Sequence, residues 1–149
     1  MGGHTGTVDA IFVAAAHSAP AREVAQAIAL PGRGLEGDRH FDDPDAGDIT
    51  LLETEAVDRL RTEHGIDLSP AAARRQVIVR GVDLANFVGR RFRVGEIECV
   101  GEERCEPCNH LAGLVGTQEV LKGLLHTGLR AAIVKGGTIR VGDTVELLE

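Results

Sequence analysis

The sequence predicts a mainly β fold, a β-rich α+β barrel decorated by a few short helices, in a single domain over residues 1–149. Three observations carry this. Short apolar, β-branched runs follow one another with turn signals close between them. Glycine occurs nineteen times, about twice the usual share. The strands do not alternate regularly with long helices, as a doubly wound parallel sheet requires. A hydrophobic content of 43% and a charged content of 26% suit a chain with a real core and exclude disorder and a small disulfide scaffold. With four Phe and neither Trp nor Tyr, the interior must be filled by Val, Leu, Ile and Ala.

The elements follow in chain order. Residues 7–16 read as a first strand ending at the turn His17-Ser18-Ala19-Pro20. Residues 22–30 fit a strand by their alternation and tolerate a helix by their Ala content; Pro31-Gly32-Arg33-Gly34 ends them either way. A loop through Asp38 and His40 and an acidic turn lead to a short strand at 49–52. A helix then starts at Thr54, which can cap its first turn, and stops at Gly65; Glu55 suits its positive end, and Ala56, Val57 and Leu60 form its apolar stripe. Ser69-Pro70 opens a second short helix. Residues 77–80 form a strand, 84–88 a single helical turn, and 92–100 a strand broken at Gly95. A third helix spans 117–125, with Gly128 past its end. Residues 129–134 form a strand, Gly136-Gly137 a tight hairpin turn, and 139–141 its return; Gly142-Asp143 turns into the last strand at 145–148.

Charge is unevenly spread. The net charge is −7, yet residues 71–93 carry Arg74, Arg75, Arg80, Arg90, Arg91 and Arg93 against Asp83 alone. The overall balance excludes a protein that grips nucleic acid over its whole surface. The Arg span could hold a small anion or supply solvated strand-edge charges. No membrane association is expected, because the longest apolar run, residues 10–16, falls far short of the roughly 20 residues a bilayer demands. No basic, then apolar, leader is visible. Three Cys do not make a disulfide framework, so a reducing cytoplasm is the predicted setting.

The most chemically loaded stretch is Glu102-Glu103-Arg104-Cys105-Glu106-Pro107-Cys108-Asn109-His110. Four readings compete for it. A structural zinc site needs four ligands and finds one Cys pair plus His110, with Cys99 on a strand. A dithiol redox pair has the right Cys105–Cys108 spacing but lacks the βαβ context, and Pro107 interrupts a helix. Both thiols could be small buried hydrophobes. Alternatively, one is a reactive thiolate for sulfur or a soft metal; only roughly 3% of an ordinary thiol is ionised at pH 7. Arg104 favours that ionisation, whereas Glu102, Glu103 and Glu106 oppose it, so further cationic help must come from elsewhere in the fold. Asp38 and His40, two apart, are either two ligands or a carboxylate orienting an imidazole, or simply a hydrogen-bonded loop. No Gly-x-Ser-x-Gly elbow and no phosphate loop is present.

These residues, taken in order, resemble the MOSC family, named after the C-terminal domain of molybdenum-cofactor sulfurase. The resemblance rests on Gly34-Leu35-Glu36-Gly37-Asp38-Arg39-His40, Ile49-Thr50-Leu51-Leu52 before a helix, and Arg74-Arg75-Gln76-Val77 followed by Gly81-Val82-Asp83-Leu84. It continues through Gly89, Val94-Gly95, Pro107-Cys108, Gly136-Gly137-Thr138-Ile139 and Gly142-Asp143. It spans nearly the whole chain, in the manner of the small stand-alone bacterial form, and implies a MOSC-like β-barrel. It further implies sulfur carriage or molybdenum-cofactor binding, with Cys108 holding a persulfide or ligating molybdenum and Cys105 serving as a local resolving thiol. By similarity, Arg74, Gln76, Asp38 and His40 line the pocket, with Arg130 and Lys135 on the late strand as weaker members. The chain departs from the family pattern in having Gln76 where Asn is usual, and in the extra Cys105.

Three functions follow from the resemblance and the residues together. A sulfur carrier would be loaded by a separate cysteine desulfurase, since no pyridoxal phosphate is expected on this chain. A molybdenum-cofactor-dependent reductase component for N-hydroxylated compounds would need electron-transfer partners. A non-catalytic binding module would use its cysteines structurally.

Overall fold

Eleven strands, one α-helix and one 3-10 turn follow one another among the described residues, which in this computed structural model are 4–15, 21–38, 41–42, 48–64, 76–103 and 128–148. They run β1 (His4–Val13), β2 (Arg22–Val24), β3 (Gln26–Leu30), β4 (Gly34–Leu35), β5 (Ile49–Glu53), α1 (Thr54–His64) and β6 (Val77–Val82). The 3-10 turn (Leu84–Phe87), β7 (Arg91–Val94), β8 (Ile97–Glu103), β9 (Leu129–Lys135), β10 (Gly137–Arg140) and β11 (Thr144–Leu147) complete the order. The main sheet runs β11-β7-β8-β9-β5-β6-β1-β2, and a further β11–β1 pairing closes seven of these strands into a barrel. Strands β10, β3 and β4 form a smaller sheet.

Alternation dictates which side chains fill the barrel. Successive residues of a strand point to opposite faces, and the inward set is almost wholly aliphatic: Val8 and Ile11 from β1, Ile49 and Leu51 from β5, Val77 and Val79 from β6, and Leu129, Ala131 and Ile133 from β9. Phe87 and Phe92 pack against each other at 5.0 Å between ring centroids and supply the bulk that the scarce aromatics allow. On the outer wall a second apolar layer is buried. Ala10, Ile78 and Leu52 lie opposite one another across β1, β6 and β5, and α1 packs over β5 and β6 with Ala56 fully buried. Strands β5 and β6 are parallel, so the connection between them must cross over, and α1 forms part of it.

Residues 22–30 resolve as two strands bent at Ala25, because their alternation pairs β2 with β1 and β3 with β10. The helix starts at Thr54 as expected, but tertiary partners use its first side chains. Thr54 Oγ1 donates to Asp9 Oδ2 at 2.6 Å, and Glu55 Oε2 accepts the Gly81 amide at 2.9 Å. The break at Gly95 is the β7–β8 hairpin. One expectation is corrected: Gly136-Gly137 does not make a hairpin. Strand β10 pairs with β3, not β9, and neither glycine has positive φ. Gly136 is required by close approach, since a Cβ there would lie 2.8 Å from the Ala29 carbonyl oxygen. The helices expected from 69 and over 117–125 lie outside the described residues. No helix among the described residues is long and apolar enough to cross a membrane.

Cys99 sits on β8, fully buried in the core. Burial, reinforced by the charges of Asp48 and Glu98, pushes its thiol up to about 12. The unfolded chain therefore releases this proton near pH 9 while the folded chain keeps it. Stability contributed by the neutral thiol is complete below pH 9 and falls as pH rises from 9 towards 12. Urea unfolding should show a decline approaching about 1.4 kcal/mol per pH unit across that window, larger than in Cys99→Ala; identical slopes would contradict this burial. A second test concerns Gly101, where an added Cβ would stand 2.1 Å from the Phe87 carbonyl oxygen. Gly101→Ala should cost about 3 kcal/mol in urea unfolding, and a loss below about 0.5 kcal/mol would contradict the close approach.

Candidate functional site

Polar residues interrupt the apolar outer wall along one row. Backbone register sets Arg130 of β9 opposite both Glu103 of β8 and Thr50 of β5. Gln76, immediately before β6, lies beside Thr50, because the next residues, Leu51 and Val77, pair across β5 and β6. Four neighbouring strands at about 4.8 Å spacing thus bring together residues far apart in sequence. At the β6 side the row meets the end of β1, where the Phe12 amide donates to the Gln76 carbonyl at 2.7 Å.

Asp38 completes the row from the loop after β4. Its Oδ1 accepts the Ala14 amide at 3.0 Å, and its Oδ2 accepts Gln76 Nε2 at 2.8 Å. Gln76 Oε1 accepts the Thr50 amide at 2.9 Å and Thr50 Oγ1 at 3.4 Å, while Thr50 Oγ1 also accepts the Gln76 amide at 3.1 Å. The orientation of the Gln76 side chain follows from the donors. The Thr50 backbone N–H can only donate, so the amide oxygen must face it and the NH₂ must face the carboxylate. Asp38 and Gln76 are 9% and 7% exposed. Burial at that level makes an unsatisfied partner costly, on the order of 1–3 kcal/mol.

The loop bearing Asp38 is itself fastened. The Arg33 guanidinium donates from Nε and Nη2 to the two Asp42 carboxylate oxygens, at 2.5 and 2.9 Å, and lies 4.6 Å over the Phe41 ring. That hydrogen-bonded guanidinium keeps the Asp42 carboxyl below the ordinary carboxylate range. A second buried carboxylate, Glu53 at the end of β5, accepts the Leu84 amide at 3.2 Å and the Gly128 amide at 3.1 Å. It thereby anchors the chain where β9 begins.

The sequence-derived site residues therefore divide into groups. Asp38, Gln76 and Arg130 share the row. Lys135 does not join them: it stands five residues from Arg130 along β9, about 17 Å, and pairs across to Glu98. His40, Arg74, Cys105, Cys108 and His110 lie outside the described residues, as does Arg75. In the Arg-rich span, Arg80, Arg91 and Arg93 are engaged on the surface by Asp9, Glu98 and Glu146, which fits solvated strand charges better than an anion site. Thr50 and Glu53 carry roles that sequence reading missed. They are the two polar residues of a short apolar strand, and their partners are remote. Among the described residues no group of three or more His, Cys, Asp or Glu side chains converges to hold a metal ion.

Comparison with known proteins agrees with this architecture. The fold is similar to the YuaD protein from Bacillus subtilis, at a TM-score of 0.83 and 17% identity over 96% of this chain and 95% of that one. It is also similar to YiiM from Geobacillus stearothermophilus, at 0.77 and 16% over 97% and 75%, and to YiiM from Escherichia coli, at 0.72 and 16% over 96% and 70%. No curated protein matches the sequence. The family model of the MOSC domain matches residues 36–146, a span that contains Asp38, Thr50, Gln76 and Arg130. With the closed barrel expected of the resemblance in place, the chain belongs to the MOSC family.

Proposed function

We propose that this chain carries sulfur through a nucleophilic thiolate at Cys108, loaded by a separate cysteine desulfurase. The observation that supports the reading is the polar row itself. Three chain segments depart from its members, and each bears one of the candidates outside the described residues. His40 follows Asp38 by two residues and Arg74 precedes Gln76 by two, each within about 7 Å of reach; Cys108 follows Glu103 by five, within about 18 Å. Arg130, opposite Glu103 in register, offers a guanidinium at the root of the cysteine segment. Cys99 does not compete, because its thiol is buried and held neutral.

In the transfer, the Cys108 thiolate attacks the outer sulfur of the donor's persulfide. A sulfur–sulfur bond forms at Cys108, the donor's sulfur–sulfur bond breaks, and the donor leaves as a thiolate, so charge and oxidation state balance. A cation close by favours the attacking thiolate over the thiol.

MOSC domains are associated with the molybdenum cofactor and with sulfur chemistry. The donor set fits that cofactor in part. Arg130, beside Thr50 on the outer wall, is the residue type that suits its phosphate, whereas the Thr50 hydroxyl and the Asp38 and Glu53 carboxylates are engaged within the protein. The protein ligand to the metal, which is soft, falls to Cys108. When bound, the cofactor would supply two-electron redox chemistry; the residues of this chain would orient and hold it.

Intact-mass and peptide mass spectrometry after incubation with a desulfurase and cysteine tests the proposal. One added sulfur on Cys108 is expected, lost in Cys108→Ser and kept in Cys105→Ser, with loading slowed about tenfold in Arg130→Ala. An unmodified Cys108, under conditions that load a known acceptor, would overturn it.

A further inference from the structure

We propose that Asp38 and Gln76 form a buried strut that positions the segments bearing His40 and Arg74, and that neither side chain contacts the bound sulfur or cofactor. The functional half of this rests on the Cys108 reading above; the structural half does not. The MOSC resemblance suggests pocket-lining residues at both positions, but the hydrogen bonds turn them towards each other. Both Asp38 oxygens accept from the protein, one from the Ala14 amide and one from Gln76 Nε2. The Gln76 oxygen is taken twice by Thr50. The Gln76 amide by itself spans from the start of β5 to the loop after β4. The strut thereby ties four points, β1, β5, β6 and that loop, in one line of fixed polarity. His40 and Arg74 each lie two residues from one of its members, so its length sets where their segments begin.

Fixed polarity makes the proposal testable by exchange. In Asp38→Asn, the new amide places a donor against either the Gln76 NH₂ or the Ala14 N–H. In Gln76→Glu, two carboxylates face each other. Each change alone breaks the line and should raise the unfolding constant about 10- to 100-fold. The double variant Asp38→Asn/Gln76→Glu reverses the middle hydrogen bond. The amide at position 38 donates to the carboxylate at position 76, its oxygen still accepts the Ala14 N–H, and Thr50 still donates to position 76. Net charge is unchanged, but the negative group has moved.

The four proteins are compared by urea unfolding and by the rate of sulfur loading on Cys108. A double variant whose unfolding constant rises by clearly less than the product of the two single effects, and which loads sulfur faster than Asp38→Asn, is the expected result. Additive losses of stability overturn the strut. A double variant as stable as wild type that loads as slowly as Asp38→Asn overturns the positioning role, because the carboxylate at 38 would then act on the ligand itself. If a single variant fails to fold, a folded double variant supports the strut and an unfolded one overturns it. If wild type takes no sulfur, the Cys108 reading falls while the stability coupling still decides the strut.

Discussion

Barrel closure is the constraint from which the rest of the molecule follows. Strand β1 pairs with β6 along one edge and with both β11 and β2 along the other, each over part of its length. It manages this by bulging between Val8 and Ala10, which bends the strand and re-aims a residue. The residue so displaced, Asp9, reaches Thr54 and Arg80. A closed barrel of few strands leaves an interior only wide enough for side chains, and the sequence fills it with aliphatics. Anything chemical must therefore sit on the outer wall or on the connections.

Around the barrel the molecule solves one problem twice. Long connections must return to the barrel at fixed places, and a buried carboxylate that accepts hydrogen bonds from remote parts of the chain does this. Glu53 joins the Leu84 and Gly128 amides; Asp38 joins the Ala14 amide to the Gln76 side chain. Such groups are expensive to desolvate, so they hold position only while every partner stays in place. The same property makes them good registers for a site: a connection cannot drift without leaving a charge unpaired.

How much of this was legible in the sequence depended on the range of the interaction. Helix α1, the break at Gly95 and the turn at Gly142 are local, and local chemistry announces them, although only the pairing of β7 with β8 makes that break a hairpin. The barrel class was legible from turn density and from the lack of long helices. The partner of β10 was not, because Gly136-Gly137 reads as a hairpin until the Ala29 carbonyl is known to press against it. Thr50 and Glu53 look like ordinary strand residues, since their partners come from distant elements. The Arg-rich span suggested an anion site from charge alone, and only the register revealed Glu98 of β8 and Glu146 of β11 on either side of Arg93, with Glu98 also within ion-pair reach of Arg91. Asp38 and Gln76 were found through family resemblance; that they face each other was visible only in three dimensions.

Of the three thiols, the one in the core is silenced by the fold, and Cys108 is the one proposed to be chemically active. Alkylation of the native protein across pH, with each cysteine followed separately by peptide mapping, tests this most directly. Cys108 is expected to react with an inflection well below the ordinary thiol value of about 8.5, while Cys99 stays unlabelled until the protein unfolds. Labelling of Cys99 in the folded state, or a Cys108 inflection at or above that ordinary value, would contradict it.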